Sequence, residues 1–159
     1  MASQSRGAMR IKHLGELGED SIHMIRGLES LGAEIQISDG MISVSATSGT
    51  FPCAPEKCID IGNSGTGCRF MLALASSMGS VSEITGDISL RSRPFEVITG
   101  ALADLGCSVS RTEGGGLVVS GPAVPGKVAL DLSKGSQPLS SLLIAAPSMG
   151  VNIEVEIQG

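Results

Sequence analysis

A mixed α/β fold built from a repeated β-α-β-α-β-β unit is what the sequence predicts, on two internal similarities and one turn pattern. The segment 25–45, IRGLESLGAEIQISDGMISVS, resembles 99–120, TGALADLGCSVSRTEGGGLVVS, with Leu31-Gly32 aligned on Leu105-Gly106. The segment 61–79, IGNSGTGCRFMLALASSMG, resembles 132–150, LSKGSQPLSSLLIAAPSMG. In the first pair an acidic-glycine dipeptide, Asp39-Gly40 or Glu113-Gly114, separates two alternating apolar stretches, the mark of a hairpin.

Each element follows from local chemistry. Residues 1–14 read as a polar leader or cloning remnant, flexible and outside the fold. A short amphipathic helix then ends at Leu31-Gly32, where glycine can take the left-handed position that ends a helix. A strand around Ile35, the Asp39-Gly40 turn and a second strand complete a half unit over 15–46. The full unit covers 57–121. It opens with a strand at Cys58–Ile61, a small-residue loop and an apolar helix, then a strand at Ser82–Thr85. Pro94 suits the first position of the next helix, which ends at Leu105-Gly106 before the second hairpin. A last half unit, 126–159, gives a strand at Val128–Leu132, a helix opening at Pro138 and a strand at Ile153–Ile157. The helices after both small-residue loops are apolar nearly all round and are expected to be buried. Because the chain opens and closes with half units, the repeat predicts truncation at both ends.

Composition narrows the function. The net charge is -5, with no Trp, no Tyr and three Phe, so neither a basic face nor stacking aromatics are available for nucleic acid. The apolar run Leu142–Ala146 is too short to span a bilayer, and no secretory signal is visible, so the expected compartment is the cytoplasm. Cys53, Cys58, Cys68 and Cys107 lack paired metal-ligand spacing and read as reduced, mostly buried thiols. His13 and His23 read as ordinary histidines, and neither a metal nor a cofactor is expected.

Three loops carry the functional signal. Gly62-Asn63-Ser64-Gly65-Thr66 stands where strand becomes helix, so free amides and the helix dipole favour an anion there. Ser64 or Thr66 can instead cap the helix, and Arg69 can complete an anion pocket or brace the loop. In TGDISLRSRPF (85–95), Arg93 stands at a helix mouth, a poor place for a cation unless its planar fork grips phosphate or carboxylate. Arg91 either assists or is solvated. In KGSQPLSS (134–141), Ser136 and Gln137 guard a third helix entrance, as polar ligands or as a plain cap. The glycines 114–116 read as a hairpin tip alone.

GNSGT-x-x-R, TGD-x-S-L-x-x-RP and SQ-x-x-SSLL-x-AAP, with GEDSIHMIRGLESLGAEI upstream, together resemble the enolpyruvylshikimate-phosphate synthase family over most of 15–159. That resemblance implies β-α-β-α-β-β units with helices packed inside and sheets outside. It implies transfer of the enolpyruvyl group of phosphoenolpyruvate to shikimate 3-phosphate, with release of phosphate. Carried over by position, Gly65, Arg93 and Gln137 would meet phosphoenolpyruvate, with Asn63, Ser64, Thr66 and Arg69 as the supporting loop. Gly135, Ser136 and Gln137 would hold shikimate 3-phosphate, Gln137 standing between the two ligands. The chain departs from the family at Gly135, where a second serine is usual, and at Phe70, where many relatives have proline. Ile88 replaces the reactive cysteine of the sister enzyme acting on UDP-N-acetylglucosamine, which favours the shikimate enzyme. The family's N-terminal lysine-serine motif and second domain are absent, and Asp60 and Asp87 flank the loops without an evident acid-base partner. The expectation is therefore a fragment of the enzyme, inactive alone and partnered by the missing remainder. The alternatives are a stand-alone phospho-ligand module, a relative of the sister enzyme, or an RNA-end-processing relative.

Overall fold

The computed structural model describes residues 7–12, 15–45 and 57–159. Cys53 and His13 lie outside them. The described elements are β1 (Met9–Lys12), α1 (Glu19–Ser30), β2 (Glu34–Ser38), β3 (Met41–Ser45), β4 (Lys57–Asp60), α2 (Gly65–Ala75) and β5 (Val81–Thr85). They continue with α3 (Ile88–Arg91), α4 (Glu96–Asp104), β6 (Ser108–Arg111), β7 (Leu117–Ser120), β8 (Gly126–Asp131), α5 (Gln137–Met149) and β9 (Ile153–Gln158). Among the described residues three sheets form, in the orders β1-β3-β2, β4-β5-β7-β6 and β8-β9. The pairs β4/β5 and β8/β9 are parallel, each bridged by an apolar helix, whereas both hairpins are antiparallel.

α2 is the centre of the packing. It touches α1, α4 and α5 and the inner face of β5 and β7, and Met71, Leu72, Ala73 and Ala75 are wholly buried. Gly27 of α1 meets Met71 Sδ, Ile59 and Ile61 so closely that an added Cβ would stand 3.0 Å from the sulfur, so this helix pair needs glycine there. The sheets lie outside: β9 alternates half-buried and exposed residues from Ile153 to Glu156, and β8 turns Val128 and Leu130 inward.

The repeat is visible atom by atom at the helix ends. Gly32 (φ 101°) donates to Glu29 O at 2.9 Å while Ala33 donates to Leu28 O at 2.9 Å. Gly106 (φ 82°) donates to Ala103 O at 2.9 Å while Cys107 donates to Leu102 O at 3.0 Å. Both are the same two-bond glycine cap, which satisfies carbonyls that the helix leaves open.

Several expectations change. Residues 9–12 are not a leader: Met9 to Lys12 pair with Val44 to Met41 and make β1 the edge of the first sheet. The two hairpin turns differ, because Asp39 (φ 49°) and Gly40 (φ 67°) form a two-residue turn, whereas residues 112–116 form a longer loop. Pro94 does not open α4, which starts at Glu96 with Phe95 as its N-cap, and an extra short helix, α3, precedes it. α5 opens at Gln137, one residue before Pro138. It is buried along one face only, Leu143 being 60% exposed, since no second helix of its unit lies over it among the described residues. Cys58 is exposed, while Cys68 and Cys107 are buried. Burial pushes the Cys68 thiol up to about 12.

Candidate functional site

Parallel pairing brings the first two loops side by side. Ile61 N donates to Thr85 O at 2.9 Å, extending the β4/β5 ladder, and Asp87 N donates to Gly62 O at 3.0 Å. Gly86 lies so near Gly62 O that a side chain there would collide with backbone. Both loops therefore leave the sheet together at the carboxyl ends of parallel strands, the usual place for a ligand in such sheets.

In the GNSGT loop, Ser64 is the cap: its Oγ accepts from Gly67 N at 3.1 Å. Thr66 lies half-buried in the first turn of α2. Asp60 and Asp87 are likewise committed to backbone, Asp60 Oδ1 accepting from Gly62 N at 2.8 Å and Asp87 Oδ1 from Leu90 N at 2.7 Å. The half-buried His23 ring packs on Gly62, its Nδ1 3.4 Å from Asp60 O.

Two guanidinium groups converge on Gly65. A Cβ at that residue would stand 2.6 Å from Arg93 Nη1 and 3.3 Å from Arg69 Nη1. Arg69 braces the loops: Nη1 donates to Gly65 O at 2.9 Å and Nη2 to Pro94 O at 3.1 Å. Its guanidinium also lies 4.8 Å from the Phe95 ring centroid. Burial lowers its pKa; Cys68 raises it, and the charge of Arg93 lowers it. Arg93 Nη2 donates to Asn63 Oδ1 at 2.5 Å. Among the described residues neither arginine has a carboxylate in salt-bridge contact, so two positive charges face a small-residue helix mouth with no internal counter-ion. Arg91 is spent on backbone, donating from Nε to Gly86 O at 2.7 Å and from Nη1 to Gly114 O at 3.1 Å.

The third loop forms the other wall. A cleft of about 480 Å³ is lined by Arg69, Pro94 to Ile98, Asp131 and Lys134 to Pro138. Ser136 is the N-cap of α5, yet its hydroxyl makes no cap bond, unlike Ser64. Gly135 (φ 136°) lies in backbone territory that a serine adopts only under strain, which accounts for glycine at this place. Gly135, Ser136, Gln137 and Arg69 thus share the cleft. Gly65, Arg93 and Asn63 stand beside it and join it through Arg69 and Pro94.

Residues 2–159 match the family described as EPSP synthase (3-phosphoshikimate 1-carboxyvinyltransferase). The chain belongs to the EPSP synthase family. It is 36% identical over 152 residues to the 3-phosphoshikimate 1-carboxyvinyltransferase of Methanococcoides burtonii, covering 94% of this chain and 35% of that protein. The namesake from Methanobrevibacter smithii is 35% identical over 150 residues, covering 92% of this chain and 34% of that protein. Among solved structures, an EPSP synthase from Acinetobacter baumannii superposes with a TM-score of 0.78 at 26% identity, over 91% of this chain and 33% of that one. The enolpyruvyl transferase NikO from Streptomyces tendae, at TM-score 0.63 and 16% identity over 96% of this chain and 34% of its own, shares the fold. The chain therefore spans about a third of the length of the EPSP synthases it matches.

Sequence reading missed Lys134 and Asp131, which line the cleft beside Gly135. Their signal lay in plain view, since Asp131 ends β8 and Lys134 stands in the loop that leads from it to Ser136. Ser133 holds the Asp131 carboxyl below the usual range through its side-chain and backbone hydrogen bonds, Ser133 N donating to Oδ1 at 2.9 Å. Among the described residues, no helix is long and apolar enough to cross a membrane, and no cluster of His, Cys, Asp and Glu could hold a metal ion.

Proposed function

We propose that this chain supplies one wall of an enolpyruvyl-transfer site, in which phosphoenolpyruvate and shikimate 3-phosphate react with release of phosphate. Phosphoenolpyruvate lies against Gly65, with its phosphate on Arg93, where a planar fork can give two parallel hydrogen bonds. Shikimate 3-phosphate lies on Gly135, Ser136 and Gln137, and Gln137 stands between the ligands. The observation that carries this reading is the convergence of the Arg93 and Arg69 guanidinium groups on a residue without a side chain, beside a cleft of substrate size.

The reaction adds the shikimate hydroxyl to C2 of the enol while C3 takes a proton, and phosphate leaves as C3 loses one. It needs an acid and a base of matched pKa and a site closed to water. The carboxylates lining the cleft are Asp131 and Glu96, and Asp131 is ionised at neutral pH, being held low by Ser133. Asp60 and Asp87, in the neighbouring loops, cap turns. Turnover therefore calls on the rest of an EPSP synthase, which these residues do not supply. Free thiols at Cys58, Cys68 and Cys107 suit the reducing cytoplasm, where we place the reaction.

A coupled phosphate-release assay with both substrates tests the division of labour. The 159-residue chain alone should read background. Adding shikimate 3-phosphate should still give millimolar binding by calorimetry, roughly -4 kcal/mol. Multiple turnover by the chain alone overturns the reading.

A further inference from the structure

The hairpin tip 114–116, which the sequence offers as a plain turn, packs against the segment that carries Arg93. Arg111, at the end of β6, is exposed, and its guanidinium spans three carbonyl groups. Nη1 donates to Arg91 O at 2.6 Å and to Gly115 O at 3.1 Å, and Nη2 to Arg93 O at 3.4 Å. The first and last of these acceptors lie at and just beyond the end of the four-residue α3, where carbonyls have no helical partner. Arg91 completes the tie in the opposite direction through Gly114 O.

The glycines make this approach possible. Gly115 (φ 82°) would bring a Cβ within 3.0 Å of Arg91 Cβ, and a Cβ on Gly116 would collide with the Glu83 carboxylate. Glycine at 115 is what lets the tip seat so closely on the arginine stem. Arg93 is thus fixed twice, by Asn63 at its fork and by Arg111 at its own carbonyl.

We propose that Arg111 is a positioning residue, which holds the backbone of Arg93 so that its fork faces the Gly65 helix mouth. The functional weight of this rests on the reading of Arg93 as an anion contact.

The test uses the Nε–H signals of the arginines in 15N-labelled chain, titrated with inorganic phosphate. Arg111→Ala removes fork and charge, Arg111→Lys keeps the charge but cannot span three carbonyls, and Gly115→Ala keeps both while unseating the tip. Amide dispersion checks the fold of each. All three variants should shift and broaden the Arg93 Nε–H signal before phosphate is added. All three should weaken phosphate binding about five- to tenfold, the cost of ordering one long side chain afresh. An unmoved Arg93 signal in Arg111→Ala overturns the proposal, and so does an Arg111→Lys protein with wild-type signal and affinity, which would leave only charge. If phosphate fails to move Arg93 in the wild type, the binding reading falls, while the phosphate-free shifts still decide whether Arg111 positions it.

Discussion

A methyl group on Gly65 would have to displace the Arg93 guanidinium, because its Cβ would lie 2.6 Å from Nη1. Gly65→Ala should therefore weaken phosphate binding by about tenfold or more, while the unfolding free energy moves by less than about 1 kcal/mol, alanine being the better helix former. A phosphate titration beside a urea melt separates the two effects, and an unchanged affinity would show that the fork does not work at this glycine. Cys68 supports a second test, on stability. Its thiol is pushed from 9.0 up to about 12 by burial, so the neutral form is favoured in the folded state. The stabilisation is complete below the unfolded value and is lost as pH rises from about 9 towards about 12. At pH ~10.5 the wild type should have lost about 2 kcal/mol more, relative to pH ~8, than Cys68→Ala. Parallel curves for the two proteins would show that the thiol is not held neutral.

The loops that open α2 and α5 look alike in sequence, and their serines do different work. Ser64 Oγ holds Gly67 N, so Ser64→Ala should cost about 1 kcal/mol in denaturant melts. Ser136 makes no such bond, so Ser136→Ala should leave stability within about 0.5 kcal/mol and instead weaken shikimate 3-phosphate. A destabilised Ser136→Ala would return that serine to the role of a cap. Strand and helix order was legible because the glycine caps at Gly32 and Gly106, and the parallel crossovers around α2 and α5, each leave a local mark. β1 was not legible, because four exposed residues gain their strand only by pairing with β3, a long-range choice. The start of α4 was misplaced for a related reason: Pro94 O is held by Arg69 and the helix waits until Glu96, which no local propensity reports.

α2 ties the sheets together, touching the helices of all three units. Leu72 is fully buried there, so Leu72→Ala should cost about 2–5 kcal/mol. The loss should appear at one midpoint whether followed by far-UV dichroism or by Cys107 labelling, and separate midpoints would mean that the units melt independently. The site was partly legible in the same sense. Small residues at two helix mouths and an arginine misplaced for stability pointed to an anion, and the structure brings Gly65, Arg93, Asn63 and Arg69 together. The role of Arg69 as the bridge to the cleft of Gly135, Ser136 and Gln137 was not legible, because it depends on Pro94 and Phe95 arriving from another loop. An amide NMR titration of the chain with shikimate 3-phosphate followed by phosphoenolpyruvate probes this convergence most directly. Ser136 and Gln137 should move with the first ligand, Gly65 and Arg93 with the second, and Gln137 with both. Arg93→Ala should abolish only the second response. Shifts scattered outside these three loops, or a second response that survives Arg93→Ala, would contradict a shared site.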